Sequence, residues 1–190
     1  MGLAVEGLDY QADFLVCSIP HTGSAYVMSC IGGRFWPLSN QYPGPADVMS
    51  HKLPFPGGAI FGHLFDELLP SLVEIAQRVR TVVPLRHPVR VAASYYHRGY
   101  PLGTLTANWQ KLCELPAGVL FFPVDADPPD FAQLAAYLGT SVRGDVSRSI
   151  NSAGAYDTQL GVKWVKEAER VMEENSIARR FYTRTAGSAS

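Results

Sequence analysis

Neither sign of charge is in excess along this chain. Its 190 residues carry 16 lysines and arginines against 17 aspartates and glutamates, which gives a formal net charge of −1. Proteins that bind nucleic acid broadly usually present a strongly basic face, so this balance argues against that class of function. Any anion-binding site must therefore be local, formed by a few residues.

Cysteine is scarce, and long apolar runs are missing. The three cysteines, Cys17, Cys30 and Cys113, form no CxxC pair and show no Cys/His spacing typical of a metal site. Their odd number fits a reducing compartment. The apolar runs fall far short of the roughly 20 residues that a membrane-spanning helix needs, and no signal peptide is visible. We therefore predict a cytoplasmic protein with no membrane span and no metal.

The rest of the composition is that of an ordinary folded protein, with 47% hydrophobic residues, and the length of 190 residues fits a single domain. Residues 34–62 are rich in proline and glycine, and they carry aromatic side chains that suit stacking on a sugar or an aromatic ring, among them Trp36, Tyr42 and Phe55. We predict that this segment is a substrate loop or lid. Residues 184–190 are predicted to be a disordered tail.

The stretch from Phe14 to Val27 predicts a strand, a loop and a helix in succession. Residues 14–17 are an apolar run typical of a buried parallel strand, and a helix is expected from Ser24 or Ala25 to the glycines at 32–33. A turn of this kind collects backbone N–H groups and the positive end of the helix dipole at one point, where anions bind. A plain βα turn explains the pattern equally well. The GxxxxGK[ST] motif of nucleotide-binding loops is absent.

A second unit of the same kind lies further along. Residues 81–85 predict a buried strand that ends at Arg86, and Pro88 suits the first turn of the helix that follows. Ligands of open α/β sheets bind at the carboxyl ends of the strands, which makes Arg86 a candidate for binding phosphate. Arg98, on the same helix, is predicted to face solvent. With a further strand at 118–124 and a helix from Phe131, the pattern predicts an α/β protein with a parallel sheet flanked by helices.

Three blocks of the sequence, in this order, resemble the sulfotransferases that use PAPS, the donor 3′-phosphoadenosine 5′-phosphosulfate. Residues 19–26, IPHTGSAY, are similar to the family's phosphosulfate loop, P-K-S-G-T-T-W. Residues 62–70 resemble the segment that carries the catalytic histidine. Residues 82–97 look like the 3′-phosphate block, in which a serine follows an arginine by eight residues, as Ser94 follows Arg86. The resemblance covers about residues 14–145 and implies the three-layer fold of P-loop nucleotide hydrolases.

The resemblance also implies a role for each matching residue. One loop would hold the 5′-phosphosulfate through backbone N–H groups and hydroxyls: Thr22, Gly23, Ser24 and Ala25. Tyr26 replaces a tryptophan and would stack on the adenine. Arg86 and Ser94 would bind the 3′-phosphate, and Arg143 is a candidate to close over it, with Arg148 as another. His63 would be the general base, and His21 stands where the family has a lysine that neutralises the leaving group.

Several alternatives remain open at this point. His51 is a rival for the general base. The acceptor is predicted to be a small molecule or a glycan, and the shortness of the chain leaves its pocket either open or completed by a partner subunit, as in a homodimer. A relative that binds a nucleotide or a sulfated ligand without turnover is the second hypothesis. A nucleoside or nucleotide kinase is the third, and the missing GK[ST] loop argues against it.

Overall fold

The computed structural model describes residues 3–5, 8–32, 35–37, 58–144 and 160–182. Most of the predicted substrate loop, the rival base His51, the basic candidate Arg148 and the predicted tail lie outside these residues. The side chains of residues 3–5, 8–13 and 35–37 are likewise outside the description.

The described strands form one six-stranded sheet in the order β3-β4-β2-β5-β6, with β1 beside β2. The strands are β1 (Leu3–Val5), β2 (Leu8–Ser18), β3 (Phe35–Pro37), β4 (Gly58–His63), β5 (Arg80–Leu85) and β6 (Leu120–Pro123). Only β1 runs antiparallel to its neighbour; the four other pairings are parallel. From β2 the chain continues toward one edge of the sheet, where β3 lies, and from β5 it continues toward the other edge, where β6 lies. The order therefore reverses between β2 and β5, and crevices that bind ligands form at such points.

Helices cover both faces of the sheet. They are α1 (Ser24–Ile31), α2 (Leu69–Ala76), α3 (Pro88–His97), α4 (Thr104–Lys111), α5 (Phe131–Leu138), α6 (Val162–Glu174) and α7 (Ser176–Tyr182), with a 3₁₀ turn at Leu112–Glu114. Among the described residues, no helix combines the length and the apolar character that crossing a membrane requires.

Alternation along the strands divides the core into two layers. In β5, Val82 packs with α1 and α5 on one face, whereas Val83 packs with α2, α3, α4 and α6 on the other. The largest fully buried side chains include Trp109 of α4 and Tyr95 of α3. The predicted α/β fold, a parallel sheet between two layers of helices, is confirmed.

Three stretches differ from what the sequence pattern predicts. The predicted substrate loop over residues 34–62 contains strand residues at both ends, since Phe35–Pro37 is β3 and residues 58–62 belong to β4. Residues 158–182 have an amphipathic pattern that predicts a single helix, but the chain leaves the helix at Asn175, where ψ is 121°. The Asn175 side chain then caps α7, because its Oδ1 accepts hydrogen bonds from the N–H groups of Ile177 and Ala178, both at 3.0 Å. The helical spacing of Leu64, Leu68 and Leu69 predicts a helix that begins near His63. His63 is instead the last residue of β4, a strand that pairs with β2 on one side and β3 on the other.

Candidate active site

Four parallel strands end at the same edge of the sheet, and each contributes to one cluster. Ser18 closes β2, His63 closes β4, Arg86 directly follows β5, and Asp125 lies just beyond β6. The loop from β2 to α1 lies at the same edge, because α1 begins only six residues after β2 ends. The order of the strands places this loop between the His63 and Arg86 ends of the sheet.

His63 is held by a neighbouring strand. Its register partner is Ser18, and Ser18 Oγ lies 3.1 Å from His63 Nδ1. When Nδ1 donates to Ser18, the lone pair of Nε2 is available as a base. The rings of Phe61 and Phe65 flank the imidazole, at centroid distances of 4.9 and 5.6 Å. Burial lowers the pKa of His63 from its ordinary value, and a hydrogen bond with Ser18 opposes that shift. His63 is therefore neutral at neutral pH and able to accept a proton.

The loop before α1 has an unusual backbone. His21 adopts a positive φ of 68°, and Gly23, the N-cap of α1, has a φ of 97°. A Cβ on Gly23 would lie 3.0 Å from Cγ2 of Val124, so both the conformation and the close packing require glycine. Glycine has no side chain to cap the helix, and the first turn of α1 contains no acidic residue. The first N–H groups of α1 therefore lack an acceptor from their own cap and suit an anion.

His21 is where the charges of the site converge. Its half-buried ring packs edge-on against Tyr95 and Tyr100, each at a centroid distance of 5.7 Å. Burial lowers the pKa of His21 to about 4, and the positive charges of Arg98 and Arg86, with that of His63 when it is protonated, act in the same direction. Two segments distant in sequence, those of His63 and Arg86, thus lie close enough to His21 to act on it.

Arg98 was predicted to face solvent. It is indeed exposed, yet its charge acts on His21. The sequence did not predict this proximity. The spacing of residues along α3 indicates which face of the helix carries Arg98, but it does not show that His21 lies next to that face.

Arg86 lies half-buried in the turn between β5 and α3. The backbone N–H of His87 donates to Oδ2 of Asp125 at 2.7 Å. His87 is also the N-cap of α3, and its Nδ1 accepts from the N–H of Val89 at 3.3 Å. Neither Asp125 nor Ser18 was among the predicted site residues. Each directly follows an apolar run in the sequence, Ser18 the run at 14–17 and Asp125 the run that ends at Val124. Only the strand order and register show that they lie at the site.

Other predicted residues are placed less favourably. The Thr22 hydroxyl donates to the carbonyl of Ile19 at 2.9 Å, so its proton is already used within the loop. Tyr26 is 5% exposed and packs against Phe131 in the core between α1 and α5, which leaves little of its ring for an adenine. Ser94 is buried on α3, with 4% exposure. Ser24 and Ala25, in the first turn of α1, are half-buried and border the loop.

Arg143 is placed toward the opposite edge of the sheet. Its backbone N–H donates to the carbonyl of Cys30 at 2.8 Å, and Cys30 lies about 9 Å along α1 from Ser24, at the rise of 1.5 Å per residue. The same end of the fold holds the start of β5, where Arg80 donates to the carbonyl of Leu138. These contacts place the backbone of Arg143 near the C-terminal end of α1, and its role at the 3′-phosphate stays a prediction.

The cysteines and acidic residues offer no metal site within the described part of the chain. No group of three or more His, Cys, Asp or Glu side chains there is arranged to hold a metal ion. Cys17 and Cys30 are buried, and burial raises the pKa of Cys17 to about 12, which makes its thiolate inaccessible. Cys113 is exposed and lies away from the cluster, near Asn175.

Comparison with known proteins gives a distant likeness in structure and none in sequence. No protein-family model matches this chain, and no curated protein sequence matches it. Among solved structures it is similar to the mouse sulfotransferase SULT7A1 complexed with PAP, with 17% sequence identity and a TM-score of 0.45. The match covers 85% of this chain and 65% of that chain, so this chain spans less than two thirds of its neighbour. At this distance the likeness assigns no activity. The chain itself is an α/β protein whose parallel sheet ends in a cluster of histidine and arginine beside a glycine-capped helix.

Proposed function

We propose that this protein is a sulfotransferase that moves a sulfuryl group from PAPS to a hydroxyl or amine of a small molecule or a glycan. The observation that carries the proposal is that His63, the loop of His21 and Arg86 lie at the carboxyl ends of three neighbouring parallel strands, β4, β2 and β5. The three sequence blocks that resemble the family supply these three residues. A packed α/β core gives no reason for arginines and a second histidine to gather around the half-buried His21.

The binding half of the site needs two anion positions. In the proposal, the backbone N–H groups around Gly23 and Ser24 hold the 5′-phosphosulfate at the N-terminus of α1. Arg86 binds the 3′-phosphate, for which the donor fork of a guanidinium is well suited. Two anions at these positions would offset the repulsion between Arg86 and Arg98, whose charges both act on His21, so the ligand relieves a cost that exists in the free protein.

The transfer step then follows from the position of His63. Nε2 takes the proton of the acceptor hydroxyl while the acceptor oxygen forms a bond to sulfur. The bridging bond from sulfur to the 5′-phosphate oxygen breaks, and its electron pair leaves with PAP, 3′-phosphoadenosine 5′-phosphate. The N–H groups at the start of α1 stabilise the charge that develops on this leaving group. The step requires neither a metal ion nor a protein nucleophile.

His21 acts on the leaving group in this proposal, but more weakly than a lysine. With its pKa lowered to about 4, the imidazole is neutral in the free protein at neutral pH and provides one N–H donor. An anionic ligand nearby raises this pKa, because it favours the charged form. The same observation supports the second candidate function, a protein that binds PAP or a sulfated ligand without turnover.

Ligand-dependent thermal unfolding tests the binding half. PAP should raise the melting temperature clearly more than AMP or ATP at the same concentration, because only PAP fills both anion positions. Equal shifts with the three nucleotides would contradict the proposal. ATP turnover that depends on magnesium would instead support a kinase.

A transfer assay separates the two candidate functions. With PAPS labelled in its sulfuryl group and a panel of phenols, amines, alcohols and sugars, a sulfotransferase yields a labelled product. If PAP stabilises the protein selectively and no member of a broad panel is labelled, the function is binding alone. The cytoplasmic location and the homodimer remain predictions that these assays leave untouched.

A further inference from the structure

Three separate segments meet at the carboxylate of Asp125. Oδ2 accepts the backbone N–H of His87 at 2.7 Å, in the turn that follows β5. Oδ1 accepts the phenol of Tyr182 at 3.1 Å, at the end of α7. The ring of Tyr182 also packs edge-on against the imidazole of His87, at a centroid distance of 5.2 Å. The end of β6, the Arg86 turn and the last turn of α7 are thus joined at one point.

Tyr182 is fixed from its own side as well. Phe181 packs against Phe121 of β6 at 6.3 Å, and Tyr182 packs against Trp109 of α4 at 6.3 Å. At the other end of α7, Asn175 Nδ2 donates to the carbonyl of Trp109 at 2.9 Å. A short helix held at both ends delivers the phenol to Asp125 in a defined position.

The charges around Tyr182 link this contact to the proposed ligand site. Burial is the main reason that the pKa of Tyr182 is raised, and Asp125 adds to it, so the phenol keeps its proton and donates. Arg86 and Arg90 act in the opposite direction, which shows that their positive charges lie close to Tyr182. The carboxylate of Asp125 lies so near the proposed anion site that it would repel an anionic ligand. Its presence there therefore needs a structural explanation.

We propose that Asp125 and Tyr182 are positioning residues that set the direction of Arg86 and thereby the selectivity for a 3′-phosphate. The N–H of His87 belongs to the peptide group that directly follows Arg86, so its hydrogen bond to Asp125 fixes the backbone from which the guanidinium extends. Tyr182 in turn fixes the carboxylate. The inference rests on the proposed function, in which Arg86 binds the 3′-phosphate, and it extends the site to the C-terminal helix.

The change Tyr182→Phe tests this arrangement, because it removes one hydroxyl and keeps the ring. The dissociation constants of PAP and AMP are measured for the wild type and the variant. The preference for PAP over AMP should fall about three- to tenfold, the range of an ordinary hydrogen bond, because the lost bond acts on the ligand only through Arg86. Selectivity equal to that of the wild type would overturn the proposal.

Tyr137→Phe is the matched control. The Tyr137 hydroxyl makes two hydrogen bonds, since it accepts from Thr81 N–H and donates to the carbonyl of Gly118, each at 2.9 Å. It lies at the start of β5, the opposite end from Arg86. The control variant should lose stability and keep the preference for PAP. An equal loss of preference in both variants would show that destabilisation alone is responsible.

Asp125→Ala distinguishes positioning from electrostatics. If Asp125 acts only as a negative charge, its removal strengthens the binding of PAP and AMP alike. If it positions Arg86, PAP loses about tenfold in affinity relative to AMP, and Asp125→Asn, which still accepts from His87, recovers part of the preference. Uniformly tighter binding in the alanine variant would contradict our inference.

Hydrogen exchange separates failure of this inference from failure of the proposed function. In Tyr182→Phe, the amide of His87 should exchange faster than in the wild type, and in Tyr137→Phe it should not. If the wild type shows no preference for PAP, the proposed function fails, and the assignment of selectivity fails with it. If the wild type prefers PAP over AMP but the amide of His87 exchanges no faster in Tyr182→Phe, only the positioning role is overturned.

Discussion

The two ends of the parallel sheet use the same residue types in different ways. At the amino ends of the strands, Arg80 donates to the carbonyl of Leu138 at 2.6 Å, and Tyr137 joins Thr81 to Gly118. At the carboxyl ends, Arg86 acts on His21 and Tyr182 through its charge. Arg80 and Tyr137 thus bind backbone groups, whereas Arg86 and Tyr182 lie among other ionisable side chains.

This difference indicates which end of the sheet is built for a ligand. An arginine that donates to a helix carbonyl is stabilised within the protein itself. The positive charges of Arg86 and Arg98, which both act on the half-buried His21, destabilise one another, and an anionic ligand offsets that repulsion. Arg80, the first residue of β5, thus has a structural role, whereas Arg86, which directly follows β5, has the binding role in the proposed function.

The change with the largest expected effect is His63→Ala. It removes the proposed base and should lower the rate of sulfuryl transfer by about 10²- to 10⁴-fold, the usual contribution of general base catalysis. The stabilisation by PAP should remain. His97→Ala, which alters an exposed histidine at the end of α3, is the control and should keep both properties. Full transfer activity in His63→Ala would remove His63 from the mechanism.

The pair Arg86→Ala and Arg80→Ala tests the comparison of the two ends directly. Arg86→Ala should weaken the binding of PAP about ten- to hundredfold and leave the affinity for AMP nearly unchanged, because a guanidinium bound to phosphate is a strong charge-assisted contact. Arg80→Ala should lower the free energy of unfolding by about 1 kcal/mol and keep the preference for PAP. Titration calorimetry and denaturant unfolding measure the two quantities. If Arg80→Ala changes nucleotide preference as much as Arg86→Ala, the distinction between the two ends is wrong.

The sequence predicts the parts of this fold that depend on local patterns. Short apolar runs at 14–17 and 81–85 each have strand length, and each is followed by a turn residue and a helical pattern, so both strand–helix units were predicted. Arg86 was predicted as a binding residue because it directly follows such a run. These inferences need no knowledge of which strands are neighbours.

The remaining parts depend on contacts between distant segments. Residues 58–63, GAIFGH, contain two glycines and a histidine, and they form a strand because β2 and β3 supply partners on both sides. Ser18 and His63 meet only through the register of that pairing. Tyr26 was assigned to a nucleotide by its place in a motif, but the packing of α5 against α1 covers it. No local pattern contains this information.

Gly23→Ala should have the next largest effect, and Gly103→Ala is its matched control. Both glycines are helix N-caps with a φ of 97°, so alanine causes similar backbone strain of about 1–2 kcal/mol at each. A Cβ on Gly103 would have no neighbour within 4 Å, whereas one on Gly23 would meet Val124 at 3.0 Å. Gly23→Ala should therefore destabilise the protein more and also reduce the stabilisation by PAP. If Gly103→Ala reduces that stabilisation equally, the loop at Gly23 is not the anion site.

The smallest expected effect is on the pH dependence of stability. The pKa of His21 is about 4 in the folded protein against the ordinary 6.5, so between these values the unfolded chain binds more protons than the folded protein. The free energy of unfolding is therefore fully maintained above pH 6.5 and falls as the pH drops from 6.5 toward 4. His63, whose pKa is also lowered, adds to the fall in the same direction.

His21→Asn isolates the contribution of His21, because asparagine tolerates the positive φ of 68° at this position and does not titrate. Denaturant midpoints at about pH 7.5, 6 and 5 should decline less steeply in this variant than in the wild type, and the part of the slope due to His63 should remain. His97→Asn, at an exposed site, should keep the wild-type slope. An unchanged slope in His21→Asn would mean that His21 is not held neutral by burial and by the charges of Arg98 and Arg86. The gathering of positive charge that distinguishes the carboxyl ends of the strands would then lose its main support.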